Sequence, residues 1–479
     1  MIHSFFKAIR SAWVPALLFS TAQALADPGL PSQAGVHVSL EQAWAFHVLQ
    51  PAAAPGTRPG VSAWVESYDW KRWEGEEPRG RGWGLERSRE RRPSRPDPSA
   101  TGFPSRRIEL DFESPMDHVE ANSRLWYSAN QLFARGNDLA GVGLALDGHV
   151  AGRLLLLAGA VYLSGGLSFY SHEVAHTYED RRQGVRENFS VNGGRWVHLG
   201  YPDYVKNFAW GEPTWGPAED LRAVGAGVNQ TTHNGRFALR RRLVRDRLDF
   251  TDGLIFLEGQ LDHLLQIAVG YVEEDEDNDA NLYTALLKER GLRLHRSEYL
   301  ALSMAADLLS FPVWESLFAV GRYLACGERD AKPFRVPVAR GLSVAPPVFS
   351  LYLTPEGLLF DAGVFLLPDG FAPVELSLCR RADFRGESSV RGVRAGAKIH
   401  EWWCYRRSSW GVSASPYVYL DVRGAGEVSG GLAGAELAVA FFGAALTLRL
   451  EYAENDLVRN LVQQEEKGFR AVLGCRLRI

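Results

Sequence analysis

The chain has 479 residues, is 46% hydrophobic and 23% charged, and carries a formal net charge of −4. These are ordinary values for a globular protein, with enough apolar material for a sizeable core and enough length for two or three domains. The near balance of charge excludes a strongly basic surface, so no nucleic-acid partner is expected.

The first residues read as an export signal. Lys7 and Arg10 precede an apolar run from Ala12 to Ala22, and Ala24-Leu25-Ala26 supplies the small-x-small pattern of a cleavage site before Asp27. Residues 1–26 are therefore expected to be a signal peptide and the mature chain to be exported. Its cysteines, Cys326, Cys379, Cys404 and Cys475, show no CxxC spacing. An oxidising compartment permits a disulfide among them, but spacing does not choose a pairing.

Residues 27–107 follow as an N-terminal segment. Val36 to Leu49 suits one short helix, whereas Glu74 to Arg107 is a linker rich in Arg, Pro and Gly. It has too few apolar residues to offset the entropy of ordering it.

Residues 108–343 read as a helical domain. Apolar positions recur at spacings of three and four in Val119–Arg135 and Leu254–Val272, and Leu300–Leu324 is a further apolar segment. Leu154 to Ser171 contains no charge and is borderline in length for a membrane span. With Gly159, Gly165 and Gly166 inside it, it reads as a buried core helix that breaks near a tight turn. Arg240-Arg241-Arg242 to Arg247 reads as the solvated basic face of a helix, and Glu273 to Asp279 as a solvated acidic turn.

From residue 344 to 479 the period changes to two. About eight strands are expected: Val348–Leu353, Leu358–Leu367, Val374–Cys379, Val390–His400, Tyr417–Val422, Glu436–Phe442, Ala445–Tyr452 and Phe469–Ile479. In the last, Phe469, Ala471, Leu473, Cys475 and Leu477 share one face and Arg470, Arg476 and Arg478 the other. The fold class is thus α+β, a helical domain followed by an antiparallel β region that is either a membrane β-barrel or a soluble sheet.

The chemistry concentrates in His172-Glu173-Val174-Ala175-His176. Histidines four apart on a helix project from one face and can meet one zinc ion. Glu173 then reaches the zinc-held water as general base.

This motif resembles the signature of the zincin metallopeptidases. The residues after His176 lack the close third histidine of metzincins, while Glu258-Gly-Gln-Leu-Asp262 has the E-x-x-x-D form of the gluzincins, including membrane-associated gluzincins of the prenyl-protease kind. The resemblance implies Glu258 as the third zinc ligand and Asp262 as the group that orients a ligand imidazole. Glu219 and His233 are alternative ligands, and Asn229, in a glycine-containing stretch that brings backbone near the motif helix, is an oxyanion-holding candidate.

A C-terminal strand ending in an apolar residue resembles bacterial outer-membrane barrels. The expectation is a zinc-dependent metallopeptidase acting on a peptide or protein, with membrane association, in the periplasm or outer membrane of a Gram-negative envelope. The rival reading is a non-catalytic outer-membrane or periplasmic structural or binding protein with a degenerate HExxH.

Overall fold

The structure is a computed structural model, and it describes residues 109–114, 119–183, 186–191, 205–210, 216–273, 278–292, 294–381, 392–406, 410–423, 427–441, 444–454 and 468–478. The expected signal peptide and the 27–107 segment lie outside the described residues. All described residues belong to one compact unit.

The chain enters on strand β1 (Glu109–Ser114) and then runs through helices α1 (Val119–Gly143) and α2 (Val150–Arg182). A hairpin of β2 (Arg186–Val191) and β3 (Val205–Trp210) precedes α3 (Pro217–Arg245). The short strand β4 (Leu248–Asp249) leads into α4 (Phe250–Glu273), α5 (Asp279–Glu289), α6 (Arg296–Leu309) and α7 (Phe311–Cys326). The rest is β, from β5 (Asp330–Ala331) and β6 (Val336–Ala339) through β7 (Leu342–Thr354), β8 (Gly357–Pro368) and β9 (Val374–Arg381). It ends in β10 (Gly392–Ile399), β11 (Trp402–Arg406), β12 (Trp410–Arg423), β13 (Glu427–Phe441), β14 (Ala444–Glu454) and β15 (Gly468–Arg478).

The α+β class is as expected. Eleven strands form one antiparallel sheet in the order β1-β15-β14-β13-β12-β10-β9-β8-β7-β6, with β11 beside β12. Among the described residues β1 and β6 are its open edges, so the sheet is not closed into a barrel. Sequence periodicity missed the seven strands β1 to β6 and β11, and of these β1 matters most to the main sheet. It is six residues long in a stretch that reads as helical, and it pairs with β15 from Glu109↔Arg478 to Ser114↔Leu473.

Local chemistry explains the helix boundaries. Pro217 occupies the first turn of α3, with Glu219 and Asp220 beside its positive end and Arg242 and Arg245 in its last turn. The apolar segment 300–324 is two helices rather than one, because Pro312 cannot donate within a continuous helix and the chain turns at Ser310. Helix α2 differs from expectation in two ways. It runs unbroken through Gly165 and Gly166, and its first half is not buried: Leu154 and Leu155 are 51% and 64% exposed.

One core joins helices and sheet. Tyr127 of α1, Phe237 of α3, Ile255 and Phe256 of α4, Val313 of α7, Val348 of β7 and Phe365 of β8 pack together. Helices α3 and α4 cross at Gly235 and Gly259, where a Cβ on either would strike the other backbone.

The sheet face turned toward the helices is charged. The arginines of α3 are not a solvated face, as their sequence suggests, but bind this surface. Arg236 meets Asp361 of β8 at 2.5 Å, Arg240 meets Glu375 of β9 at 2.7 Å, and Arg241 meets Glu401 at 2.5 Å. Arg124 of α1 binds Asp111 and Glu113 of β1 and Glu436 of β13, and Arg476 of β15 joins Asp111, Glu401 and Glu436. Desolvating so many ions is costly, and only mutual pairing makes it tolerable.

Arg236→Ala is therefore expected to lower stability by about 3–5 kcal/mol in chemical denaturation, since it strands Asp361 as a buried charge. Arg247→Ala, which removes a pair whose side chains are 35% and 56% exposed, should cost no more than about 1 kcal/mol. Equal effects would contradict the importance assigned to the buried pairs.

Candidate metal centre

His172 and His176 lie one turn apart on α2, with ring centroids 4.9 Å apart. Both turn Nε2 toward the same carboxylate oxygen, Asp279 Oδ2, at 2.8 Å and 3.2 Å. The three donor atoms lie within 4.8 Å of one another, a span that one cation can bridge. Asp279 opens α5. The Asn278 side chain accepts the Ala280 N–H and so caps the helix, which puts the Asp279 carboxylate at the positive end of the helix dipole.

The other imidazole nitrogens face further groups of the protein. His176 Nδ1 donates to the Ala223 carbonyl of α3 at 2.6 Å. His172 Nδ1 faces Asp262 Oδ2 of α4 at 3.4 Å, and that oxygen accepts the Thr231 hydroxyl at 2.7 Å. Fixing the far nitrogen aims the near one, the arrangement that metal-ligating histidines use. A Cβ at Gly227 of α3 would collide with Nε2 of both His172 and His176. The backbone of α3 thus closes one side of the site, and only glycine leaves room for it.

Electrostatics reinforces the cluster. Burial alone would push the Asp279 carboxyl upward, but the two imidazoles outweigh it and hold the group well below the usual carboxylate range. Glu173 is half-buried on the same helix and bears electrostatically on His176.

The structure departs from expectation in its third donor. Glu258 is half-buried on α4 with its carboxyl oxygens covered, it is not among the three converging donors, and burial pushes its carboxyl up to about 8. Glu219 sits in the first turn of α3 and faces Arg222 at 3.6 Å. His233 bonds Ser123 at 2.9 Å and lies 3.5 Å from Glu120, and burial holds its imidazole down at about 3. Asn229 is not turned to an oxyanion. Its side chain bonds both the N–H and the carbonyl of Leu353 in β7, which fastens α3 to the sheet. Asp262, also named from the E-x-x-x-D pattern, lies 3.4 Å from His172.

Asp279 was missed because it closes an acidic run, Glu273 to Asp279, that reads as a solvated turn. The available signal was Asn278 as an N-cap ahead of an apolar periodicity through Ala280, Tyr283 and Leu287. That pattern makes Asp279 the first residue of a packed helix rather than the end of a loop. Comparison with protein-family models, with curated proteins and with solved structures finds no match to this chain.

Asp262→Asn is expected to leave the fold intact and to weaken zinc affinity by about 10- to 100-fold, read by competition with a chromophoric chelator. An unchanged affinity would mean that Asp262 does not orient His172.

Proposed function

We propose that the chain is a zinc-dependent metallohydrolase that cleaves an amide bond in a peptide or protein, with His172, His176 and Asp279 as metal ligands and Glu173 as general base. The observation that carries this reading is the convergence of two Nε2 atoms and one carboxylate oxygen one residue from Glu173. Two nitrogens and one oxygen suit zinc, and three protein donors leave a position open for water, which is the pattern of catalytic rather than structural zinc. Bound zinc would lower the pKa of its water and polarise the scissile carbonyl. Glu173 takes the proton from the attacking water and returns it to the leaving amine. Asp262 and the Ala223 carbonyl hold the two imidazoles in register, and the α3 backbone at Gly227 limits access from that side. An exported protein of the Gram-negative envelope remains the proposed setting, resting on the N-terminal sequence pattern.

Zinc content and cleavage of a fluorogenic peptide mixture test the assignment together. Asp279→Ala should lose bound zinc and activity. Glu173→Gln should keep zinc and lose activity by roughly 100-fold or more. Glu258→Gln should keep the zinc. Full zinc retention in Asp279→Ala, or its loss in Glu258→Gln, would overturn the ligand set.

The proton inventory gives a separate check. His176 Nδ1 already donates to a carbonyl, so its Nε2 must be unprotonated to bind a cation. Zinc binding should therefore release protons, and apparent affinity should rise as pH rises through neutrality. Calorimetry in buffers of different ionisation enthalpy reads the release. Buffer-independent heat would contradict it.

A further inference from the structure

We infer that the sheet face turned away from the helices packs against the acyl chains of a lipid bilayer. This rests on the polarity of the fold and not on the metal site.

A sheet with one face in water keeps its apolar residues inside and its polar residues outside. On β12, β14 and β15 the order is reversed. On β14 the inward positions are Thr447, Arg449 and Glu451, all buried, while Leu446, Leu448 and Leu450 point outward and Leu446 is 67% exposed. On β15 Arg476 is buried, and Phe469 and Leu473 are 70% and 66% exposed. On β12 Asp421 is fully buried, and the outward positions from Trp410 to Leu420 carry no charge. Register makes these positions continuous, with Leu437 of β13 opposite Leu448 and Leu448 opposite Leu473. Polar inside and apolar outside is what strands need when hydrocarbon surrounds them.

The dimensions and the rims agree. Trp410 lies opposite Phe441 at one end of the outer face, with Tyr405 packed on Trp410 at 4.6 Å. Tyr452 lies opposite Phe469 at the other end. The residues between are aliphatic, as between the aromatic girdles of membrane strands. The run from Trp410 to Leu420 measures about 34 Å along the strand, or about 26 Å along the normal at the tilt of membrane strands, and the apolar band they present is about 25 Å tall.

A second copy of the chain would cover one patch, whereas this apolar exterior continues beyond the sheet. Helix α1 packs on β1 at one edge, α6 and α7 pack on β7 near the other, and α2 touches both α1 and α7. The helices thus lie along the inner face of the sheet from β1 to β7. Their outer sides are apolar as well, with Leu132 of α1 49%, Leu155 of α2 64% and Phe318 of α7 63% exposed. An exterior apolar on sheet and helices alike has one consistent occupant, the bilayer interior.

The test uses the full chain reconstituted into vesicles of phosphatidylethanolamine and phosphatidylglycerol with brominated acyl chains. A bimane label is placed at Leu473→Cys, Leu446→Cys or, as a control in the exposed β6–β7 turn, Arg340→Cys, with Cys326, Cys404 and Cys475 replaced by serine. The protein should float with the vesicles, and bromine should quench the Leu473 and Leu446 labels severalfold more than the Arg340 label. Leu448→Arg, folded by circular dichroism, should lower the vesicle-bound fraction on the order of tenfold or more. Protein that stays in detergent-free solution as an oligomer, with both labels unquenched, would overturn the inference and make this face an interface between copies. Neither result depends on zinc or on hydrolysis.

Discussion

The row of arginines on α3 and its acidic partners on the sheet is the constraint from which the rest follows. Arg236, Arg240 and Arg241 reach Asp361 and Glu375 on the strands and Glu401 in the bend between β10 and β11. These pairs are desolvated, so each is costly alone and strongly directional once made. They fix one end of α3 on the sheet, and Asn229 adds two hydrogen bonds to Leu353 near its middle. The other end of the helix then has a defined position. It brings the Ala223 carbonyl to His176 and the bare backbone of Gly227 against both imidazoles. One helix thereby couples the polar core of the sheet to the geometry of the candidate metal centre.

The candidate centre draws on four helices. α2 supplies two imidazoles, α5 the carboxylate, α4 the Asp262 that steadies His172, and α3 the carbonyl and the wall. A cluster assembled this way depends on packing more than on any local motif. Its donors are aimed before a cation arrives, because His176 Nδ1 bonds the Ala223 carbonyl and His172 Nδ1 lies 3.4 Å from the Asp262 carboxylate. That preorganisation separates the cluster from three polar groups that merely lie near one another.

Much of this was legible in the sequence where period and spacing carry the information. All eight expected strands are present, since alternation along Phe469 to Leu477 or Leu446 to Tyr452 has no helical counterpart. The spacing of His172 and His176 suffices to put both on one helix face. Three things were hidden, for different reasons. The strand β1 is too short to show a period, and its role is set by a partner at the far end of the chain. The arginines of α3 look like any basic helix face, because sequence does not reveal that the opposing sheet surface is acidic and buried. Asp279 looked like part of a solvated run because acidic neighbours precede it, while the cap that pulls it into a packed helix is a single asparagine. The familiar E-x-x-x-D pattern drew attention to Glu258, yet that carboxyl lies outside the cluster, where burial pushes it up to about 8. For β1 and the arginines a long-range contact decides the outcome, whereas for Asp279 a local cap was present but outweighed by its acidic neighbours.

The most direct measurement is X-ray absorption at the zinc edge on the zinc-loaded full chain. The account predicts a first shell of nitrogen and oxygen only, at about 2.0–2.1 Å, with the multiple scattering of two imidazoles. It also predicts that the two-imidazole signature disappears in Asp279→Ala, as zinc is lost, and persists in Glu258→Gln. Sulfur in the first shell, or a two-imidazole spectrum unchanged by removal of Asp279, would contradict the centre assigned here.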